Sequence, residues 1–336
     1  MKLLRFLAFL TALVFSTSPG FAEIGKMGTY AEVEAPPASA QQVTIGFYPL
    51  SIYQLDMASN TYYIDTYMWL RWKGDIDPTA TLEFTNMVEE WGKQQENLLT
   101  EPKILADGSK YQILRVEGRV VQPFSLSDYP LDKQKLSIMV EDTTNGANTV
   151  SYVFDKDSTG IGESMQVPGW TLNGWSSRTL VHDYGTKFGE EETPSTYSAA
   201  EFSIDISRPL SFFYWKLLLP LFIVFSAAIA ALLIRPQDLD VRTALPAGAL
   251  LTAIFLQKSY SDSLPDLGYL ILMDRIYLVA YALIVGTLIR AILAYRATEG
   301  ANDKRMKQIV ETDRRILALQ LLAFVAAVTV IVSLKA

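Results

Sequence analysis

The 336-residue chain is 50% hydrophobic and 19% charged, with no Cys, a single His and a mean hydropathy of +0.17. That length holds two medium domains, and low charge with positive hydropathy indicates a membrane protein. Without Cys there are no disulfides, thiolate metal sites or cysteine nucleophiles, and His182 alone cannot build a His-based zinc site. No G-x-S-x-G precedes a helical run, so no catalytic residues, metal ligands or cofactors are expected.

The net charge of −7 divides unevenly, with 27 Asp and Glu against 13 Lys and Arg in residues 23–207 and a basic excess elsewhere. The chain therefore faces two environments. Neither half has a basic, aromatic-interleaved patch outside the apolar runs, which sets nucleic acid aside as a partner.

Residues 1–22 read as a secretory signal: Lys2 and Arg5, an apolar run, then Gly20 and Ala22 before a cut at Glu23. Residues 23–42 are rich in Pro, Ala and Ser and are expected to be a flexible segment. From 43 to 208 the pattern has period two, clearest at Tyr63-Ile-Asp-Thr-Tyr-Met-Trp-Leu-Arg-Trp72, with turns expected at Asp107-Gly108 and Asn145-Gly146. Short strands so spaced predict a β-sandwich or barrel. Residues 209–336 carry four spanning-length runs, at 212–234, 241–260, 269–295 and 316–334. The fold expected is an α+β membrane protein, an extracellular β-sandwich followed by a four-helix bundle. Arg296, Lys304, Arg305, Lys307, Arg314 and Arg315 place the third connection in the cytoplasm. The β-domain and the C-terminus then face outward, as the leader independently requires. Four spans with no broken repeats and no buried ionisable pair set a transporter aside.

Phe124-Ser-Leu-Ser-Asp-Tyr-Pro-Leu-Asp-Lys-Gln134 lies between strands, Arg208 precedes the first span, Arg242 opens the second, Leu264-Pro265 ends it, and Asp274 follows. In this order and spacing the chain resembles the bacterial pentameric ligand-gated ion channels of the Cys-loop receptor superfamily, without the cysteines that name it. The resemblance covers about residues 43–334. It implies a homopentamer in a bacterial inner membrane, multi-pass in the lipid bilayer, with the β-domain and C-terminus in the periplasm and the second helix lining a pore.

If that helix lines a pore, steps of three and four select Asp240, Ala244, Gly248, Leu251, Phe255, Lys258 or Ser259, and Asp262. Leu251 and Phe255 are the expected gate, two apolar rings that expel water; the alternative is packing on neighbouring helices. Asp238 and Asp240 would ring the cytoplasmic mouth and favour monovalent cations. Anion-selective relatives carry Pro-Ala before the position of Arg242, where Asp240-Val241 stands here, and Arg242 is expected to turn from the lumen. Ala244 and Gly248 replace hydroxyl-bearing residues of relatives, and Pro246 is expected to bend the helix. Lys258 either pairs with Asp262 or faces the subunit seam, leaving Ser259 in the lumen.

The resemblance places agonist binding between neighbouring sandwiches. The matching residues are Tyr184, Phe188 and Tyr197 with Glu141 and Thr144, and Tyr67 and Trp69 from the neighbour. Aromatics with carboxylates suit a small-molecule amine, protons are the rival stimulus, and the alternative for Tyr67 and Trp69 is sandwich core. Asp155-Lys-Asp157-Ser-Thr159-Gly160 starts like a calcium loop, but Gln166 stands where the bidentate Glu belongs. For coupling, the resemblance points to Asp56, Tyr129, Pro130, Asp132, Arg208 and Pro265. The expected function is a cation-selective pentameric channel gated by ligand or protons. A non-conducting membrane receptor and an anion-selective channel are the alternatives.

Overall fold

The structure is a computed structural model that describes residues 28–33, 37 and 39–334, so the expected leader lies outside the described residues. The chain divides into a β-rich unit, which runs to Phe124 and resumes over Lys133–Arg208, and a helical unit of Ser125–Asp132 and the chain from Pro209 onward. Ser125–Asp132, expected inside the β-domain, thus clusters with the helices.

Among the described residues, twelve strands form the first unit. Its long strands are β2 (Gln41–Asp56), β3 (Thr61–Trp72), β8 (Lys110–Val121), β9 (Lys133–Gly146), β11 (Thr171–Asp183) and β12 (Thr196–Ser207), with β10 (Val150–Phe154) shorter. The remainder are β1 (Thr29–Glu32), β4 (Leu82–Phe84), β5 (Met87–Val88), β6 (Gln94–Asn97) and β7 (Lys103–Ile104). One sheet has the order β1-β11-β12-β9-β4 and the other β10-β2-β3-β8-β5, with β6 and β7 also on β8. Only β10 with β2 is a parallel pair among the described strands.

Period-two patterning makes the core. Along β3, Tyr62, Ile64, Met68, Leu70 and Trp72 are buried, while Tyr63, Tyr67, Trp69 and Arg71 point the other way. The inner faces meet where Phe47 of β2 stacks on Phe202 of β12, with centroids 5.6 Å apart. The buried Tyr62 hydroxyl crosses between sheets to donate to the Ser137 carbonyl, 2.9 Å away. Burial, with the Glu201 carboxylate nearby, pushes the Tyr62 phenol above its ordinary pKa.

Two local expectations change. Thr29–Glu32, inside the segment expected to be loose, is a strand hydrogen-bonded to β11, and Gln41 already belongs to β2. The expected turn at Asn145-Gly146 shifts to 147–149. The reason is local: Asp142 Oδ1 accepts the Thr144 and Asn145 amides at 2.9 and 2.5 Å, and Thr149 N–H closes the turn on the Gly146 carbonyl at 2.8 Å.

The described residues of the second unit contain four helices long and apolar enough to cross a membrane: α1 (Phe212–Leu233), α2 (Leu239–Ser261), α3 (Leu272–Thr298) and α4 (Asp303–Ser333). Helix α1 opens with a widened π turn just before Pro220, whose missing N–H removes an intrahelical bond. Pro246 sits inside a continuous α2. The largest difference from expectation is α4, which starts at Asp303, capped by the Asn302 side chain on Arg305 N–H at 2.9 Å. The basic run read as a connection is therefore helical.

Gly46 of β2 pairs with Trp69 of β3, and a Cβ there would stand 2.1 Å from the indole. Gly46→Ala is expected to push the ring away, costing about 1–3 kcal/mol as overpacking does. A lower thermal midpoint with altered tryptophan emission supports this, and an unchanged pair of readings contradicts it.

Candidate functional site

Helix α2 has two opposite faces. Arg242, Pro246, Ala249, Ala253 and Tyr260 are its buried residues, one stripe at three- and four-residue steps turned toward the other helices. At about 100° per residue, Asp240, Ala244, Gly248, Leu251, Phe255, Lys258, Ser259 and Asp262 fall on the far side, and all are exposed in the single chain. Leu251 and Phe255 are 55% and 65% exposed, so they are not packed within their own subunit. Gly248 has open space where a Cβ would stand. Asp238 is exposed at the position preceding the helix. Of the two readings for Lys258, the ion pair is present: its Nζ is 2.5 Å from Asp262 Oδ1.

Arg242 turns inward. Its Nη2 lies 2.7 Å from Asp313 Oδ2 on α4, and Arg290 Nε of α3 lies 2.7 Å from Asp313 Oδ1. Arg242 and Asp313 are fully buried. This trio overturns the expectation that the spans hold no buried ionisable pair. The signal missed was Asp313 itself, which sits among Asp303, Glu311, Arg314 and Arg315 and reads in sequence as one more solvated charge.

The expected ligand residues separate into two groups. On the sheet containing β9 and β12, buried Glu141 takes three donors: His182 Nδ1 at 2.9 Å, Tyr184 Oη at 2.9 Å and Tyr30 Oη at 3.1 Å. The His182 ring lies between those of Tyr30 and Tyr184, at 3.9 and 3.8 Å. Phe188 and Tyr197 meet Tyr184 edge-on at 5.0 and 5.8 Å, and Phe188 is exposed at the hairpin tip. Burial first, then the Glu141 carboxylate, raises both tyrosine pKa values. Thr144 is exposed near the end of β9. Sequence reasoning had Glu141 and Tyr184 but not Tyr30, because the β1–β11 pairing that delivers it has no local signature.

Tyr67 and Trp69 belong to the other sheet and are not core. With Tyr48, Arg71, Tyr111 and Asp155 they line a cavity of about 480 Å³. Trp69 Nε1 donates to Asp155 Oδ2 at 3.1 Å, so the first acid of the calcium-like segment is committed to an indole.

The expected coupling residues are also distributed. Asp56 closes the β2–β3 turn, accepting from the Ala58 amide at 2.9 Å and the Ser59 hydroxyl at 2.8 Å. The Ser59 bond, opposed by burial and aided by the backbone amides, holds its carboxyl below the usual range. The Arg208 guanidinium lies 4.3 Å over the Trp170 ring, its Nη2 3.1 Å from Met57 Sδ. In the helical unit, the Ser127 and Tyr129 carbonyls accept the Leu272 and Met273 amides at 2.9 and 3.2 Å, capping α3. Buried Tyr129 precedes Pro130 and stacks on Tyr260 of α2 at 6.0 Å, and Asp132 is buried two residues on from Pro130. Asp274 joins α2 to α3 by accepting from Tyr260 Oη at 2.7 Å and Gln257 Nε2 at 2.9 Å. Pro265 lines a recess of about 330 Å³ with Lys258, Asp262, Asp266 and Asp274.

No protein-family model matches the chain. It is 20% identical over 268 residues to a proton-gated ion channel of Gloeobacter violaceus, covering 73% of this chain and 71% of that one. It is 22% identical over 274 residues to the gamma-aminobutyric acid receptor subunit alpha-2 of Homo sapiens and of Mus musculus, covering 75% of this chain. Against those receptor subunits it spans 59% of their length. The chain is thus similar to pentameric ligand-gated ion channels, which are not enzymes, and its four spanning-length helices make it a multi-pass membrane protein.

Glu141→Leu is expected to take the shared acceptor from buried His182 and from Tyr184 and Tyr30, and to destabilise the β-rich unit by about 1–3 kcal/mol. Thermal unfolding followed by near-UV circular dichroism checks this; an unchanged midpoint would show that the three donors find other acceptors.

Proposed function

We propose that five copies of this chain form a cation-selective channel in a bacterial inner membrane, opened by a small amine or by protons acting on the outer domain. The observation that carries the reading is the exposed stripe of α2. Leu251 and Phe255 sit one turn apart near its middle, between Asp240 at one end and the Lys258–Asp262 pair at the other. Five such stripes around an axis make two stacked apolar rings, and a dry constriction blocks ions without a plug. Asp238 and Asp240 then form acidic rings that draw cations to the mouth, within about a Debye length. The Lys258–Asp262 pair largely cancels, which supports the cation-selective reading over an anion-selective one.

For the stimulus, the two aromatic groups support a site completed between neighbouring copies. Glu141, Tyr184 and Phe188 lie on one sheet, and the Tyr67–Trp69 cavity lies on the other. An amine would meet exposed Phe188 and the acids Glu190, Glu191 and Glu192 of the same hairpin. Protons are the second stimulus, supported by the excess of acids over bases in residues 23–207. Coupling follows the chain: Ser125–Asp132 leaves the strands, caps α3, packs Tyr129 on Tyr260 and returns to β9. The basic residues of early α4 support a cytoplasmic inner end and a periplasmic β-domain.

The test is reconstitution in a planar bilayer under a steep KCl gradient, with steps to acid pH and then added amines. Reversal near the potassium potential is expected, and reversal near the chloride potential overturns the selectivity. Asp240→Ala is expected to move the reversal toward zero, with no movement ruling out its role at the mouth. Leu251→Ser is expected to raise opening without stimulus, and wild-type gating in that variant places the constriction elsewhere.

A further inference from the structure

The trio of Arg242, Asp313 and Arg290 is not needed by the pore reading, yet it joins three helices where the pore helix begins. Two cations share one carboxylate out of water, so the cluster carries a net positive charge. Arg290 keeps a 22% exposed side chain. Arg242 is wholly buried, and among the described residues its Nε and Nη1 have no hydrogen-bond partner. Asp313 is therefore the one carboxylate in contact with the Arg242 charge among the described residues. Such a charge is strongly disfavoured once its partner is lost, because removing one member of a buried pair leaves the other uncompensated.

Arg242 is two residues from Asp240, about 200° around the helix at about 100° per residue. While Arg242 is held inward, Asp240 must face outward. If Arg242 were released, its charge would leave the bundle by rotation of α2 or by reaching past it toward Asp238 and Asp240. Either route brings a positive charge to the acidic mouth.

We infer that Asp313 is a positioning residue: from α4, without reaching the exposed stripe, it fixes the rotational seat of α2 and so keeps the mouth negative. The selectivity part rests on the proposed pore; the seat itself does not. Helix α4 packs chiefly on α3, so the Arg242–Asp313 bond is a direct polar link from it to α2.

The test uses full-length, reconstituted protein and two readouts. The chain has no native Cys, so a cysteine at Ala244 or Ala249 is the single thiol and reports from the exposed or the buried stripe. With wild-type Asp313, a water-soluble thiol reagent is expected to label position 244 much faster than 249. Asp313→Asn is expected to narrow that ratio severalfold and move the reversal toward the chloride potential, and Asp313→Glu to restore both. If Asp313→Asn does not assemble, Arg242→Gln tests the same seat, because Asp313 keeps Arg290. It is expected to narrow the labelling ratio while the reversal stays near the potassium potential, no arginine having been freed. An unchanged labelling ratio in assembled Asp313→Asn or Arg242→Gln overturns the seat. An unchanged cation reversal in conducting Asp313→Asn overturns the selectivity role. A wild-type protein that passes no current overturns the proposed pore, while the labelling ratio still decides the seat.

Discussion

The rest of the structure depends on one constraint, that α2 must satisfy two incompatible faces. Its inner stripe is packed by its own subunit. Its outer stripe combines carboxylates and a lysine at the ends, small residues below, and a leucine and a phenylalanine in the middle. Lipid would penalise those charges, and Leu251 and Phe255 are more than half exposed in the single chain, so this chain's own helices do not cover them. A water-filled path with a narrow apolar centre, as in the proposed channel, suits every residue of the stripe.

Holding α2 in that orientation falls to polar contacts at both ends. Near its start, Arg242 is bonded to Asp313. Near its close, Tyr260 and Gln257 share Asp274, which also accepts the Ile271 amide at 3.2 Å and so caps its own helix. Tyr129 stacks on the same Tyr260, so a segment running directly between β8 and β9 rests on the last turn of α2.

Much of this was legible in the sequence because it depends on local periodicity. Alternation identified β3 and correctly turned Tyr67 and Trp69 to one side; spacing of three and four selected the stripe of α2. Features that failed to appear were set by partners distant in sequence. Tyr30 reaches Glu141 through the β1–β11 register, 111 residues away. Asp313 was hidden for a different reason: its charged neighbours mimic a solvated loop, and only its pairing, 71 residues from Arg242, separates it from them. The start of α4 was misplaced by the same run, since hydropathy marks where a helix enters lipid, not where hydrogen bonding begins.

The most direct measurement is a single-cysteine scan of α2 in reconstituted protein, from Asp240 to Asp262, with a charged, water-soluble thiol reagent. Labelling at 244, 248, 251 and 255 with protection at 246, 249 and 253 is the predicted pattern, and labelling at 251 and 255 should rise on opening. Uniform protection of the 244–255 stripe, or labelling without helical periodicity, would contradict a water path along that face.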